Sequence, residues 1–289
     1  MKNASNLSVS IAIPTKDRHA DLADCLASIG RQTRLPDEVI VIEGGKSIID
    51  DKDIPKMLPN TALIHFPDSS GLTASRNKAL TLISKDIVIF LDDDLVLDEH
   101  FVEKITEPFC TEGFAPIGGV VGNMSNYSPE KDDIIPSLIR SVFLMPMKGD
   151  GRFRLSGAPT FVYGQDRIKE VEFIAGGITA YRRAVFSEYK FDENLKGPSL
   201  GEDDDFSFRI SRKYRNYYTP FALALHKQSS ANRTTGIQRV LKRCGTYLYL
   251  AVKNRSFIYW PFTLLMVFGI FLESFYFLLK KVFKAIWKR

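Results

Sequence analysis

Three consecutive aspartates, Asp92, Asp93 and Asp94, follow a short run of five apolar residues that is typical of a buried strand. Side chains alternate along a strand, so we expect Asp92 and Asp94 to share one side and Asp93 to face the other. Two carboxylates on one side repel each other unless a cation lies between them, and such oxygen ligands favour Mg²⁺ or Mn²⁺. The alternative is an acidic cap that water solvates.

A second acidic cluster, Glu202–Asp205, opens a predicted helix over Asp203–Tyr214. Acids in a first turn stabilise the helix dipole, but four in succession exceed what capping requires. Carboxylates packed together raise one another's pKa, which suits a general base. His226 follows a predicted strand over Phe221–Leu225. A lone histidine is more commonly a surface or core residue, but at a strand end it is a candidate metal or diphosphate ligand.

Strand and helix patterns alternate through the first part of the chain. The predicted elements are Ser8–Ile13, Arg18–Gly30, Glu38–Ile42, Ala62–Phe66, Thr73–Ser84 and Asp86–Leu91. This alternation indicates an α/β fold with a doubly wound, mostly parallel sheet and flanking helices. Ligands of such sheets bind outside the carboxyl ends of the strands. The polar clusters Pro14–Arg18, Glu43–Gly45 and Asp92–Asp94 should therefore converge on one crevice, which favours the metal site over the solvated cap.

Two later segments do not follow this alternation of strands and helices. Residues 124–170 are rich in Pro, Gly and charge with little periodicity, and we interpret them as an insertion or mobile loop over the site, or as plain surface loop. The pattern of Val171–Ala180, which contains Gly176 and Gly177, predicts one strand.

Charge is distributed unevenly along the 289 residues. From Arg233 onward there are 11 basic residues and one acid, whereas the preceding part carries 28 basic and 33 acidic residues. This asymmetry argues against a nucleic-acid partner and favours a body held at an anionic membrane surface. Three scattered cysteines suit a reducing compartment rather than a disulfide framework.

The chain ends in two predicted helices, the basic amphipathic Arg233–Arg255 and the apolar Phe257–Leu279, whose one charge is Glu273. A 23-residue helix is about 35 Å long, enough to cross a hydrocarbon core of about 30 Å. Both flanks are basic, so a single span cannot satisfy the positive-inside preference at both ends. A monotopic or hairpin insertion, bent near Pro261 or Gly269, would satisfy it, and a buried core helix is a third interpretation.

Six segments in order carry a resemblance to a known family. They are Ser10–Thr15, Val39–Gly45, Gly71–Asn77, Phe90–Asp94, Ala175–Arg183 and Gly201–Arg209. Over about residues 8–230 the chain resembles the family 2 glycosyltransferases, of GT-A fold. Taken in that order, the first three segments are similar to the family's nucleotide loop, its base-contacting strand and its Gly-Leu-Ser-x-Ala-Arg-Asn segment. The last three are similar to its Asp-x-Asp metal motif, its acceptor-side Gly-Gly strand and its Gly-Glu-Asp-x-Asp helix start. The chain departs at Lys16-Asp17-Arg18, where the family often has Tyr-Asn-Arg, and at Glu43, where it usually has Asp.

The resemblance implies an inverting, metal-dependent glycosyltransferase that moves a sugar from a nucleoside-diphosphate sugar, UDP-linked, to an acceptor hydroxyl. The basic and apolar C-terminal segment, together with analogy, suggests that this acceptor is lipid-linked or a polysaccharide. The implied donor-binding residues are Pro14, Thr15, Asp17, Arg18, Glu43, Arg76, Asp92 and Asp93. Asp94 would ligate Mn²⁺ or Mg²⁺, with His226 a further candidate ligand, and Asp203 would be the general base, with Glu202 its nearest competitor. Residues 1–232 would form the catalytic domain, and residues 233–289 would anchor it to the cytoplasmic face of the cell membrane.

Two other classes of function stay open at this point. A nucleotidyltransferase on a similar sheet would also use paired aspartates and a metal, but the chain lacks the Gly-rich, basic start such enzymes usually have. A non-catalytic membrane scaffold would be expected to have broken acidic motifs, and both clusters are intact.

Overall fold

The computed structural model of the chain describes residues 7–45, 58, 61–66, 71–110, 116–126, 133–196, 200–227 and 236–287. Its contacts divide the chain into two units. The first comprises Met1–Tyr127 and Tyr163–Arg233, and the second comprises Ser128–Val162 and Thr234–Arg289. The division into a catalytic domain over residues 1–232 and an anchor over residues 233–289 stays a prediction. The contacts group Ser128–Val162 with the C-terminal helices.

Strands and helices alternate along the described residues. The strands are β1 (Val9–Lys16), β2 (Glu38–Gly44), β3 (Thr61–His65), β4 (Ile87–Leu91), β5 (Leu95–Leu97), β6 (Ile117–Met124), β7 (Met147–Lys148), β8 (Thr160–Phe161), β9 (Lys169–Val171), β10 (Ile178–Arg182) and β11 (Arg215–His226). The α-helices are α1 (His19–Gly30), α2 (Leu72–Leu80), α3 (Phe101–Thr106), α4 (Ile134–Val142), α5 (Glu202–Ile210), α6 (Gly236–Asn254) and α7 (Trp260–Ile286).

The first unit is built on one mixed sheet, in the order β3-β2-β1-β4-β10-β6-β11-β5, with β9 beside β11. Strands β3, β2, β1, β4, β6 and β11 run in one direction, and β10, β5 and β9 oppose them. The expected mostly parallel sheet with flanking helices is thus confirmed. Every residue of β4 is buried because helices and loops cover both faces of the central strands, which explains its unbroken apolar sequence.

Helix α1 shows how the flanking helices attach to the sheet. Its buried apolar residues are Leu22, Cys25, Leu26 and Ile29, spaced three or four apart along one face. Burying them fixes the loop after β1 in front of the sheet's carboxyl edge.

Four predicted elements of the first unit are wrong in extent. The helix predicted over Thr73–Ser84 ends at Leu80, and the strand predicted over Phe221–Leu225 begins at Arg215. Val171–Ala180 is not one strand, because the chain leaves the sheet after β9 and returns at β10. Between them, Ile174 exchanges hydrogen bonds with the Ser207 hydroxyl, so this segment pairs with helix α5 instead of a strand. The helix predicted over Asp203–Tyr214 ends at Ile210, and the tyrosine-rich sequence that follows forms β11.

The interpretation of residues 124–170 as an insertion agrees with the separate grouping of Ser128–Val162, but the described part is not all loop. Helix α4 and the short pair β7–β8 lie within this range. The Arg154 guanidinium donates to the carbonyls of Arg140, Ser141 and Met145, and so satisfies the carbonyls at the end of helix α4. The two-residue strands are too short for a periodicity, and Pro136, a residue that disfavours helix interiors, lies in the first turn of helix α4.

The second unit is a small helical assembly with its own core. Helices α4, α6 and α7 meet around seven buried side chains: Ile139, Met145, Ala158, Cys244, Tyr247, Met266 and Ile270. Helix α7 runs without a break through Gly269, so the hairpin bend considered there is not found. A Cβ atom at Gly269 would lie 2.3 Å from Cβ of Phe143, which accounts for the glycine as a close helix contact.

Among the described residues, Phe257–Lys284 is the one helical segment long and apolar enough to cross a membrane. Length and composition alone are weak support, because core helices of soluble proteins pass the same test. Only 28% of its most apolar window is buried, however, so the core-helix interpretation does not account for most of its surface.

Candidate active site

The carboxyl ends of β1, β2, β4 and β11 lie at one edge of the sheet because these strands run in the same direction. Strand β10 runs the opposite way and therefore begins at this edge, which brings Gly176 and Gly177 to the end of β4. The Asp92 amide donates to the Gly177 carbonyl at 2.9 Å. The polar clusters that end the first strands and the second acidic cluster meet here, as the sequence predicts.

Asp92, Asp94 and His226 converge at the centre of this edge. One ligand atom from each lies within 4.8 Å of the others, and Nε2 of His226 is 3.2 Å from Oδ1 of Asp94. Two carboxylates and an imidazole are a donor set that suits Mn²⁺ or Mg²⁺. Burial raises the pKa of Asp92 to about 6, and the carboxylates of Asp203 and Asp94 add to the effect against the opposing charge of Arg76. The Asp92 side chain keeps 39% exposure towards the open crevice.

Asp93 is held away from this group by two residues of the first loop. The Thr15 hydroxyl donates to Oδ2 of Asp93 at 2.7 Å, and the Arg18 guanidinium donates to Oδ1 at 2.9 Å. Burial raises the pKa of Asp93, although these two hydrogen bonds oppose the rise. Asp93 therefore ties the loop after β1 to the loop after β4.

Arg76 joins the two acidic clusters. Its side chain is almost fully buried in helix α2, and it donates to Oδ1 of Asp203 at 2.8 Å. Its other carboxylate neighbours are Asp92 and Glu202, each 3.9 Å away. Burial alone would lower the pKa of Arg76, but the three carboxylates outweigh it, so the pKa is raised and the guanidinium stays charged. The guanidinium carbon lies 5.2 Å from the ring centre of Phe191.

The two acids that begin helix α5 differ in their surroundings. Glu202 is buried, and burial, reinforced by the charge of Asp203, raises its pKa to about 8 despite the nearby Arg76. Glu202 is therefore harder to ionise than a glutamate in water. The Asp203 side chain is 22% exposed and reaches the crevice beside Arg76.

Gly176 and Gly177 allow the backbone to pass close to both clusters. A Cβ atom at Gly177 would lie 2.1 Å from Oδ2 of Asp92, and one at Gly176 would lie 2.1 Å from Oδ1 of Asp203. Neither position can take a side chain without moving a carboxylate. The Gly-Gly pair of the sequence is thus a point of close approach to both acids.

The comparisons with known proteins identify the family. A sequence profile described as Glycosyl transferase family 2 matches residues 10–190. Over 227 residues the chain is 33% identical to the protein named Uncharacterized glycosyltransferase YwdF of Bacillus subtilis (strain 168), covering 78% of this chain and 76% of that protein. The chain belongs to glycosyl transferase family 2. It is also 24% identical over 202 residues to Glycosyltransferase GlyA of Streptococcus pneumoniae serotype 4 (strain ATCC BAA-334 / TIGR4), covering 68% of this chain and 27% of that protein.

Solved structures share the fold of this glycosyltransferase at low sequence identity. A structure of GalNAc-T7 with UDP, GalNAc and Mn²⁺ aligns with TM-score 0.62 and 13% identity, covering 85% of this chain and 48% of that one. The mannosyltransferase PcManGT of Pyrobaculum calidifontis, in complex with GDP-Man and Mn²⁺, aligns with TM-score 0.58 and 13% identity, covering 95% of this chain and 75% of that one. These likenesses show the GT-A fold and confirm the resemblance found in the sequence.

The remaining predicted donor-binding residues lie at the β1 and β2 ends of the same edge. Pro14 pairs with Ile42 in the β1–β2 register. Glu43 is buried, and its Oε2 lies 3.5 Å from Nδ1 of His65. Asp17 has a φ of 57°, in the left-handed region, and a Cβ atom at Gly45 would lie 3.1 Å from its Oδ1. Their roles in this glycosyltransferase stay predictions.

Two neighbours of the site were not predicted from the sequence. His65 approaches Glu43 from β3, and the Phe191 ring, stacked on Phe206 at 4.4 Å between centroids, underlies Arg76. No local pattern marks either one, because each reaches the site only through tertiary packing.

Proposed function

We propose that this glycosyltransferase moves a sugar from a nucleoside-diphosphate sugar, with UDP as our choice of nucleotide, to an acceptor hydroxyl, in a metal-dependent reaction that inverts the anomeric centre. The observation that carries the proposal is the convergence of Asp92, Asp94 and His226 beside the Arg76–Asp203 pair. A cation-binding group and a candidate base in one crevice are what a diphosphate leaving group and a hydroxyl nucleophile require.

The fold neighbours support the choice of donor. The structures of GalNAc-T7 and PcManGT, which share this fold, contain UDP and GDP-Man respectively, each with Mn²⁺. In this chain the residues proposed to hold the nucleoside and its phosphates are Pro14, Thr15, Asp17, Arg18, Glu43, Arg76, Asp92 and Asp93. The buried Glu43 is suited to accept hydrogen bonds from a base, and Arg18 carries positive charge next to the acidic triplet.

Asp94 and His226, with Asp92, would hold Mn²⁺ or Mg²⁺ at the diphosphate. When bound, such a cation neutralises the charge that develops on the leaving group. Arg18 fixes Asp93 and lies 3.8 Å from Asp94, so it keeps the loop that presents these carboxylates in one conformation. Holding the loop in advance reduces the reorganisation needed when the donor binds.

Asp203 is our choice for the general base. It would accept the proton of the acceptor hydroxyl as that oxygen attacks the anomeric carbon, the bond from that carbon to the diphosphate breaks, and the nucleoside diphosphate leaves. Glu202 is less suited because it is buried, whereas the Asp203 side chain is 22% exposed and reaches the crevice. Arg76 donates to Asp203 at 2.8 Å and so orients its carboxylate in the crevice.

The acceptor and the location follow from the second unit. We propose a lipid-linked or polysaccharide acceptor and attachment to the cytoplasmic face of the cell membrane through the C-terminal segment. This is supported by the basic composition of that segment and by its largely exposed apolar helix. Such attachment would raise the concentration of a lipid-linked acceptor near the enzyme.

A screen of nucleotide-sugars with Mn²⁺ tests the proposal. The donor should raise the melting temperature by mass action, and transfer should release nucleoside diphosphate. The control is the same screen with the Asp94→Ala variant, which should lose the metal-dependent part of the shift. Release of pyrophosphate, or full activity in excess chelator, would contradict the proposal.

A further inference from the structure

Helix α7 of the second unit carries a continuous apolar stripe on its exposed side. The exposed large side chains between residues 264 and 283 are Leu264, Leu265, Phe268, Phe271, Leu272, Phe275, Phe277, Leu278, Leu279, Val282 and Phe283. All but Phe277 recur every three or four residues and so share one face of the helix. We call these ten residues the α7 stripe.

The opposite face of the helix is not available to lipid. Thr263, Met266, Ile270 and Glu273 are buried, and the first three pack on this unit's own core and loops. Beyond Glu273 the same face continues with three exposed lysines, which are Lys280, Lys281 and Lys284. The helix is therefore apolar on one side throughout its length, whereas the other side is protein-covered up to Glu273 and beyond it carries the exposed Phe277 and the three lysines.

Glu273 fixes this orientation. Its Oε1 accepts a hydrogen bond from Nε of Arg140 at 2.5 Å, and its Oε2 lies 3.8 Å from Arg243. The arginines come from helices α4 and α6, so the single acid of the apolar segment ties all three helices of the unit together. A helix that crossed the bilayer with these partners would carry two arginines and their helices into hydrocarbon, which is strongly unfavourable.

We propose that helix α7 lies in the plane of a bilayer surface, with the α7 stripe at the boundary between head groups and acyl chains and its lysines facing anionic head groups. This inference rests on the membrane attachment in the proposed function and specifies its geometry. Lys280 pairs with Asp133, but Lys281 and Lys284 are exposed and the one acid of the helix is paired inside the unit, so the charge of this surface favours anionic lipid. Trp260 and Trp287, both exposed near the two ends, suit the interfacial region.

Vesicle flotation of the full chain tests the lipid surface. The variant Phe268→Ser/Phe271→Ser/Phe275→Ser should bind vesicles of phosphatidylglycerol and phosphatidylcholine at least about tenfold more weakly than the unaltered chain, because apolar burial drives insertion. The matched control Leu35→Ser/Leu82→Ser removes two exposed leucines of the first unit and should bind normally. Added salt or pure phosphatidylcholine should also weaken binding.

Cysteine labelling in bacterial membranes distinguishes an in-plane helix from a spanning one. Ser256→Cys and Lys284→Cys, each in a Cys110→Ser background, place a thiol before the helix and near its end; Cys25 and Cys244 are buried. An impermeant maleimide should label both positions in inverted inner-membrane vesicles and neither in spheroplasts. Labelling of the two positions from opposite sides would overturn the proposal.

Two further outcomes would also overturn it. One is unchanged flotation of the triple serine variant. The other is a soluble dimer that buries the α7 stripe and does not bind vesicles, detected by sedimentation. Binding of nucleotide-sugar is measured separately by thermal shift, so loss of vesicle binding with donor binding intact counts against the helix geometry and not against sugar transfer. The same thermal shift shows that the variants are folded.

Discussion

Asp92–Asp94 leave the end of a strand, whereas Glu202–Asp205 begin a helix, and the two clusters present their carboxylates to the crevice in different states. In the first cluster, Asp92 and Asp94 converge on His226. In the second, the partly buried Asp203 accepts a hydrogen bond from Arg76, and Glu202 is buried with its pKa raised to about 8. Under the proposed function, the first arrangement would hold a cation and the second would present one carboxylate to the acceptor hydroxyl.

In each cluster, one carboxylate makes hydrogen bonds that stabilise the local structure. Asp93 binds Thr15 and Arg18, and the fully buried Asp205 accepts two hydrogen bonds from Arg209, at 3.0 and 2.7 Å. These pairs anchor the loop and the helix that carry the reactive acids. An acidic run in a sequence therefore need not act as a unit, because neighbouring acids take different tasks according to the partner that each one meets.

The largest effect is expected from removing a cation ligand in the first cluster. Asp94→Ala should lower transfer by about a thousandfold or more, since charge on the leaving group loses several kcal/mol of stabilisation. Mn²⁺ titration and initial rates measure the effect. The matched neutralisation Asp204→Asn, in the second cluster, should leave Mn²⁺ affinity unchanged. Normal Mn²⁺ binding by the Asp94→Ala variant would remove the distinction between the clusters.

Asp203→Asn tests the proton-exchanging role of the second cluster. Loss of a general base should lower kcat by about 10²–10⁴-fold, while donor affinity stays nearly intact because the proposed donor and metal site is at the first cluster. Rates and donor Kd, measured on the same preparation, separate the two effects. A greater loss of kcat in Glu202→Gln than in Asp203→Asn would assign the base to Glu202 instead.

The sequence predicted the first cluster better than the second. Alternation along a strand places Asp92 and Asp94 together, and parallel strand direction brings their end of β4 to the edge where His226 ends β11. Side-chain alternation is a local rule and strand direction is a topological one, so neither requires knowledge of how side chains pack. The structure brings the three residues within 4.8 Å of one another, as this reasoning leads one to expect.

The surroundings of Asp203 required the folded chain. Arg76 and Asp203 are 127 positions apart, and no local pattern indicates that a fully buried arginine would pair with a helix start. The break between β9 and β10 was not predicted for a related reason. It depends on the hydrogen bond that the Ile174 amide donates to the hydroxyl of Ser207, which is distant in sequence. Long-range polar pairing is decided by tertiary packing, which propensity and periodicity do not report.

Gly177→Ala should disturb the first cluster without removing any of its groups. Its Cβ would lie 2.1 Å from Asp92 Oδ2, so the Asp92 carboxylate must turn away, which should cost little stability because it is the end of a partly exposed side chain. We expect weaker Mn²⁺ binding and a loss of activity of about tenfold or more, because the ligand is displaced. Gly245→Ala is the control: it meets nothing within 4 Å in helix α6 and should be neutral or slightly stabilising. Equal behaviour of the two variants would refute the close-approach role.

The smallest expected effect concerns the pH dependence of stability and comes from Glu202. Its pKa is raised in the folded chain from 4.5 to about 8, so between these values the unfolded chain releases a proton that the folded chain keeps. The unfolded state then binds fewer protons, and the free energy of unfolding falls as pH rises through this range. Glu202→Gln lacks this titration and should lose less stability as the pH rises. The melting temperature of the variant minus that of the unaltered chain should therefore increase by at least about 2 °C between pH 5 and pH 8. Parallel melting curves across that range would mean that Glu202 is ionised in the fold. The two clusters would then hold their carboxylates in the same charge state, and the contrast between cation binding and proton exchange would rest on Arg76 alone.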